Sequence, residues 1–242
     1  MIKPYDEKPT GKKEQVRTMF DAIAGRYDLL NHLLSMNIDR RWRQAVVRMV
    51  RRQRPESVLD VATGTGDLAI AVGRALPEAA LTGVDLSPEM LRIGRRKAAE
   101  RLPGREIPFV EGDAEQLPFA EGTFGAITCG FGVRNFEDLR RGVAEMHRVL
   151  RPGGGLYILE FSMPAERSLS GRLYRFYFRR ILPKIGRLIS RENRAYSYLP
   201  ESVEDFPYGG RFCTLLQEAG FAEPQRKELM GGIATIYKTE KR

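Results

Sequence analysis

The chain predicts a doubly wound α/β fold, a mostly parallel seven-stranded sheet with helices on both faces. Three observations predict it. Short apolar runs alternate with helical stretches from Ser57 onward, the pattern of a sheet built from strand–helix units. A Gly-rich turn, Thr63-Gly64-Thr65-Gly66, follows the first run. The 242 residues are 42% hydrophobic, enough for one sizeable core at about 100–200 residues per domain.

The elements follow in chain order. Residues 1–13 read as a polar tail, and 14–54 as a helical lid with breaks near Gly25 and Asn37. A core of 57–162 comes next. Its strands are read at Ser57–Ala62, Ala80–Asp85, Ile107–Gly112, Phe124–Cys129 and Leu156–Glu160. Helices are expected from Asp67 to about Leu76, from Ser87-Pro88-Glu89, and over Glu137–Leu150. Ser87 is a favourable N-cap and Pro88 suits a first helical turn. Residues 163–205 read as a basic, aromatic-rich helical insertion. Residues 206–242 supply a helix over Phe212–Ala219, stopped by Gly220, and two strands at Gln225–Leu229 and Ala234–Tyr237. No internal repeat or low-complexity segment occurs, so the whole chain reads as a single domain.

Charge narrows the function classes. The net charge is +9, which favours anionic partners, a membrane surface or nucleic acid. Arg40–Arg54 holds seven arginines and no acid; Arg167–Arg194 holds nine basic residues against Glu192. The second stretch interleaves them with Leu173, Phe176, Tyr177, Ile181 and Leu188, as in an amphipathic helix interrupted near Pro183 that can lie in a lipid interface. The other reading is a helix packed on the domain with solvated arginines. Cys129 and Cys213 do not make a disulfide framework, which points to a reducing compartment. No run of 18 apolar residues and no apolar signal core occurs, so a cytoplasmic location is expected. No Cys/His cluster suggests a metal.

The ligand of an open α/β sheet sits at the carboxyl ends of its strands. There the first unit reads Asp60-Val61-Ala62-Thr63-Gly64-Thr65-Gly66. Gly64 and Gly66 let backbone approach a ligand closely. Ala69 keeps a dinucleotide fingerprint open, but Asp60 sets a negative charge where a pyrophosphate would lie, and suits a cationic amino-acid end. Asp85 closes the second strand and can accept two ribose hydroxyls. Asp113 and the Ala114 N–H, after the third, can read an adenine edge. Amino acid, ribose and adenine in that order describe S-adenosylmethionine.

On these residues the stretch Val58–Glu160 resembles a class I S-adenosylmethionine-dependent methyltransferase with a Rossmann-like sheet. The whole chain resembles the quinone-ring C-methyltransferases, the family of demethylmenaquinone methyltransferase and 2-polyprenyl-6-methoxybenzoquinol methylase. Tyr27-Asp28-Leu29-Leu30-Asn31-His32-Leu33-Leu34-Ser35, with Trp42, carries the resemblance. Arg148-Val149-Leu150-Arg151-Pro152-Gly153-Gly154 through Glu160-Phe161-Ser162 carries it too, as do Gly132-Val133-Arg134-Asn135 and Tyr196–Ser202. Leu30, Asp39 and Arg151 depart from the family's usual Met, His and Lys. The resemblance implies cofactor contacts at Thr65, Asp85, Asp113, Ala114 and Gly130, the last a serine position in the family.

The implied reaction carries a methyl group from sulfonium sulfur to a carbon of a prenylated quinol, demethylmenaquinol to menaquinol. The benzoquinol of the ubiquinone route, or another hydrophobic phenol, is the alternative. Arg134 can stabilise the developing oxyanion, with Asn135 orienting a water; the plainer reading is a salt bridge to Glu137 or Asp138. Tyr27 and Asp28 join the catalytic candidates, Asp28 as a proton acceptor. Asn31, Tyr196 and Tyr198 are candidates for binding the acceptor. His147 reads as structural. The acceptor's insoluble tail implies peripheral association with the inner face of the membrane, and a homodimer face is left open. A nucleic-acid role, suggested by the pI of 9.7, lacks any RNA-reading motif, so no nucleic-acid partner is expected. A non-catalytic surface protein would not need the intact acid set.

Overall fold

The structure is a computed structural model that describes residues 2–5, 9–35, 37–164 and 194–242. The basic stretch of 165–193, and with it the expected break near Pro183, lies outside the described residues, as do the side chains of Asn31 and Tyr196.

Val58, Leu59, Asp60 and Val61 are all buried in β1 (Ser57–Val61). A strand buried on both faces belongs inside a parallel sheet with helices on each side. It pairs in parallel with β2 (Ala80–Asp85) and with β4 (Phe124–Gly130). With β3 (Phe109–Glu111), β5 (Leu150–Phe161), β6 (Gln225–Leu229) and β7 (Ala234–Glu240), the order is β3-β2-β1-β4-β5-β7-β6. Strand order reverses between β1 and β4, and β7 runs antiparallel to β5.

One helical layer holds α2 (Ile38–Gln53), α3 (Asp67–Ala75) and α4 (Pro88–Arg101), whose Trp42, Val46, Val50, Leu68, Val72 and Ala98 pack on the sheet. The other includes α5 (Leu139–Val149) and α7 (Gly210–Glu218), through Val143, Met146, Phe212 and Leu216. Between them in sequence, α6 (Arg194–Asp205) packs on the turn after β4. Ser87 caps α4 by accepting from the Met90 N–H, with Pro88 in the first turn.

Two sequence expectations need correction. α1 (Lys12–Leu34) starts inside the supposed polar tail and runs unbroken through Gly25. Nothing lies within 4 Å of a Cβ at Gly25, so packing does not call for glycine there. Its cost of about 1 kcal/mol is offset by buried Met19, Ile23 and Ala24. The break at Asn37 does occur, in a left-handed residue with φ 60°. β5 begins at Leu150, not Leu156. Leu150 pairs with Phe124, and the register slips before Gly155 meets Ala126. Gly153 has φ +71° and donates its N–H to the Lys241 carbonyl, while the Gly154 carbonyl accepts the Lys241 N–H, so the glycines carry a bulge within the strand instead of only ending the preceding helix.

Asp138 caps α5, accepting the Arg141 N–H at 3.0 Å. Asp138→Ala is expected to cost about 1 kcal/mol. Calorimetric scanning should show Tm about 2–4 °C lower, with ligand affinity unchanged because the cap lies outside the cleft wall.

Candidate active site

The carboxyl ends of β1 to β4 enclose a cleft at the reversal point, where open sheets bind ligands. Tyr27, Gly64, Asp85, Asp113, Ala114, Gly130 and Asn135 line it. Thr65, Gly66, Asp60, Asp28, Arg134 and Tyr198 stand outside the wall.

The Gly-rich turn is built from left-handed residues, Ala62 (φ 52°), Gly64 (φ 56°) and Gly66 (φ 78°). A Cβ on Gly66 would lie 2.8 Å from Phe109. The turn therefore nests on β3 only without a side chain there. Asp60, behind the turn, accepts from Thr63 and Thr128 hydroxyls at 2.6 Å each. Burial pushes its pKa up to about 6. Its oxygens serve the turn and β4, so it shapes the cradle rather than meeting a ligand's amino group.

Asp85 accepts the Gly64 N–H at 2.8 Å on one oxygen and the Ser87 N–H at 2.9 Å on the other. A carboxylate offers about four acceptor sites, so each oxygen keeps one for a hydroxyl of a vicinal diol. Burial raises the Asp85 pKa. Asp113 accepts the Glu115 N–H at 2.9 Å and the Lys13 ammonium at 2.6 Å. Lys13 also lies 3.1 Å from Glu115.

α1 roofs this edge. Lys13, Arg17 and Asp21 recur every fourth residue on one helix face. Arg17 reaches Glu111 at 3.2 Å, and Asp21 accepts from the Ser87 hydroxyl at 2.5 Å. Farther along, Asp28 accepts from Thr65 and from Lys97, each at 2.5 Å. These bonds make Asp28 a tie between the helix and the turn. Ile23, Ala24, Phe20 and Tyr27 pack on Met90 and Ile93 of α4.

After β4, Phe131 takes φ 61° and the chain enters a 3-10 turn, Val133–Asn135. Arg134 pairs with buried Glu160 at 2.8 Å, donates to the Phe131 carbonyl, and lies 5.4 Å from the Phe161 ring centre. Its salt bridge is thus to Glu160, not to Glu137 or Asp138. Burial raises the Glu160 pKa, and Arg134 opposes that rise. Among the described residues, three buried side-chain polar atoms lack a hydrogen-bond partner: Arg134 Nε, Asn135 Oδ1 and Tyr198 Oη. All belong to this turn and to the helix packed on it. Burial raises the Tyr198 pKa, so the hydroxyl keeps its proton and can donate.

Lys12 fastens the same turn from α1. Its ammonium donates to the Arg134 and Phe136 carbonyls at 3.0 and 2.8 Å, and its N–H to Glu137 at 2.7 Å. Burial lowers its pKa to about 8, against the opposing pull of Asp205.

Lys12, Lys13, Lys97 and Glu160 went unassigned in the sequence. The only local signal was the four-residue charge spacing of Lys13, Arg17 and Asp21, which marks a helix face but not its partners.

The cradle fits S-adenosylmethionine. The turn carries no side chain at Gly64 or Gly66 and so lets a ligand approach its backbone, Asp85 has acceptor capacity left for a ribose hydroxyl, and Asp113 can accept from an adenine amino group once Lys13 shifts.

Residues 8–241 match the profile of the ubiE/COQ5 methyltransferase family. The demethylmenaquinone methyltransferase of Bacteroides fragilis is 43% identical over 241 residues, covering 99% of this chain and 97% of that one. The ubiquinone/menaquinone biosynthesis C-methyltransferase UbiE of Geobacter sulfurreducens is 46% identical, covering 96% and 90%. Among solved structures, a SAM-dependent methyltransferase of Thermotoga maritima superposes with TM-score 0.65 at 19% identity, covering 94% of this chain and all of its own. The [4+2]-cyclase SpnF matches at TM-score 0.60 and 18% identity, covering 96% and 98%. At such identities the structures establish the fold, and the cyclase shows that this fold does not dictate methyl transfer.

Two outcomes follow from this geometry. A Cβ on Gly132 would lie 2.5 Å from Ala62 Cβ and 2.9 Å from Cys129 Sγ. Gly132→Ala should therefore push the two turns apart and weaken S-adenosylmethionine binding about tenfold in calorimetry, near 1.4 kcal/mol. The second concerns pH. Because the Lys12 pKa is depressed from 10.5 to about 8, the protonated form costs stability fully below pH 8, and the cost fades as pH climbs to 10.5. Between pH 7.5 and 9.5 the wild type should gain about 2 kcal/mol relative to Lys12→Met, read from urea unfolding. A constant difference between the two proteins would contradict the burial of that ammonium.

Proposed function

The chain belongs to the ubiE/COQ5 methyltransferase family and is an S-adenosylmethionine-dependent methyltransferase; from that premise we propose that its acceptor is a prenylated naphthoquinol, converted from demethylmenaquinol to menaquinol. The observation that carries the acceptor reading is the set of unpartnered atoms, Asn135 Oδ1 on the cleft wall and Tyr198 Oη and Arg134 Nε behind it. Buried polar atoms without partners are costly, and a ligand that pairs them removes the cost. Asn135 Oδ1 needs a donor, whereas Tyr198 and the Arg134 N–H offer donors. A quinol that has lost one of its two protons presents one hydroxyl and one oxyanion, which meets both needs.

When bound, S-adenosylmethionine supplies an electrophilic methyl group on sulfonium sulfur. The chain's own task is to hold the ring carbon in line and to make the ring electron-rich. Asp85 and Asp113 would hold the cofactor, with Gly64 letting it approach the turn; Asn135, on the cleft wall, would orient the ring, with Tyr198 behind it. Donors set in a dry pocket lower the pKa of a phenol-like hydroxyl from about 10. Water takes that proton, and takes a second from the methylated ring carbon as the ring regains aromaticity; Asp28 lies outside the cleft wall, bonded to Lys97 and Thr65, and Tyr198 stays protonated. Positioning and oxyanion stabilisation account for the rate.

A quinol with an isoprenoid tail must come from a membrane. No helix of the described residues is long and apolar enough to cross one. The +9 charge supports contact with an anionic lipid surface. So do the exposed Leu29 and Met230, on α1 and on the β6–β7 turn at the cleft edge of the sheet.

The test is product mass after incubation with S-adenosylmethionine and chemically reduced, short-tailed demethylmenaquinone, beside the benzoquinol analogue. The expected product is the naphthoquinol with one added methyl on carbon, absent without reductant. Faster methylation of the benzoquinol would shift the acceptor to the ubiquinone route. No product from either quinol, with the cofactor bound, would discard the quinol.

A further inference from the structure

Lys97, on α4, meets three elements with one ammonium. It donates to Asp28 of α1 at 2.5 Å, to Asp67 at the start of α3 at 2.7 Å, and to the Thr65 hydroxyl at 3.0 Å. An ammonium has three protons, so all are spent. The Thr65 hydroxyl in turn donates to Asp28 at 2.5 Å. Lys97, Thr65 and Asp28 therefore form a closed triangle, each bonded to the other two. The Lys97 side chain is 7% exposed.

Charge explains why α1 should seat there. Asp67 also faces Arg101 at 3.3 Å and Arg43 at 3.8 Å. Arg43 has Asp39 as well. Without α1, buried Lys97, mostly buried Arg43 and half-exposed Arg101 would share two carboxylates. Asp28 brings the third carboxylate and balances the cluster. A buried charge short of its partner is costly, so the cluster pulls the helix down.

The pull reaches the cofactor turn through Thr65. That residue stands between Gly64 and Gly66, both left-handed, and the Gly64 N–H is aimed at Asp85. Fixing the Thr65 hydroxyl fixes the peptides on either side. Closure also has to be reversible. The cleft measures about 70 Å³ beneath Lys13, Arg17, Phe20 and Tyr27 of α1, while sites for drug-sized ligands span about 300–1,000 Å³. These α1 side chains must therefore move aside for the cofactor to fit.

We propose that Lys97 is a positioning residue for cofactor capture, coupling the seating of α1 through Asp28 to the ordering of the Gly-rich turn through Thr65. The proposal rests on the cleft being the S-adenosylmethionine site.

The test compares wild type, Lys97→Met, Lys97→Arg, Asp28→Asn and the Lys97→Met/Asp28→Asn double variant. Calorimetry reads S-adenosylmethionine affinity, and hydrogen exchange without ligand reads the opening of the Asp21–Leu29 stretch. Lys97→Met should weaken binding tenfold or more and speed exchange in α1. Lys97→Arg should keep most of both. The double variant should be no worse than the poorer single one, as for partners in one triangle. A residue that only stabilises the fold would lower Tm and leave the Kd unchanged; that result, or effects that multiply, overturns the proposal. If wild type binds no S-adenosylmethionine, the reading of the cleft fails. Exchange then still decides the link between Lys97 and α1, and unchanged rates would sink it.

Discussion

The carboxylate of Asp60 is the point from which the rest of the site is hung. It is buried at the reversal of strand order and binds hydroxyls from two sides, Thr63 in the turn and Thr128 in β4. A third bond comes from the Ala69 N–H of α3. One anion thus ties β1, β4 and α3 at the place where open sheets leave a crevice. Its pKa of about 6 shows what burial costs the charged form. At neutral pH that cost is fully present, since a raised acid pKa means stability declines as pH climbs from about 4 to 6. The three bonds offset it, and they tie the turn to β4 and α3.

A second constraint follows from where the acids must be. Strand ends that recognise hydroxyls and amino groups carry carboxylates, and here Asp85, Glu111, Asp113 and Glu115 crowd one edge. Like charges in one cleft repel. α1 answers with Lys13 and Arg17 over that edge, and it brings Asp28 where Lys97 waits beneath. The helix is therefore complementary in charge at these three positions, which helps to set its register. Each surface pair alone contributes little. Several on one rigid face, backed by the Phe20, Ile23 and Tyr27 packing, determine where the helix sits.

The parts legible in the sequence are those decided by neighbours in the chain. Gly64, Gly66, Asp85 and Asp113 could be placed because strand–turn logic puts each at a carboxyl end. The seven strands were visible for the same reason. What escaped was decided across distance. Lys97 meets Asp28 from 69 positions away, and Lys12 meets the Phe136 carbonyl from 124. No local pattern announces either. Gly25 misled because a glycine's local cost was weighed without the tertiary packing on both sides of it. Leu150–Gly155 misled in the opposite sense. Its glycines looked like a terminator, but a neighbouring strand turned them into a bulge.

Arg134 shows how an isolated residue and a paired one differ in what they can do. A free guanidinium would present a full positive charge to the acceptor oxyanion. Here Glu160, wholly buried, cancels most of that charge at 2.8 Å. Long-range attraction is thereby reduced, and what remains is directional: an N–H without a partner, fixed by Glu160, the Phe131 carbonyl and the Phe161 ring. Hydrogen-bond donors held rigid in a dry site stabilise a developing oxyanion without reorganising at the moment of reaction. A neutral pair also lets an apolar ring and its hydrocarbon tail approach without stripping water from an exposed cation. Such a pair suits an acceptor that is mostly apolar and becomes anionic only at one oxygen, the chemical character of the prenylated quinol we propose.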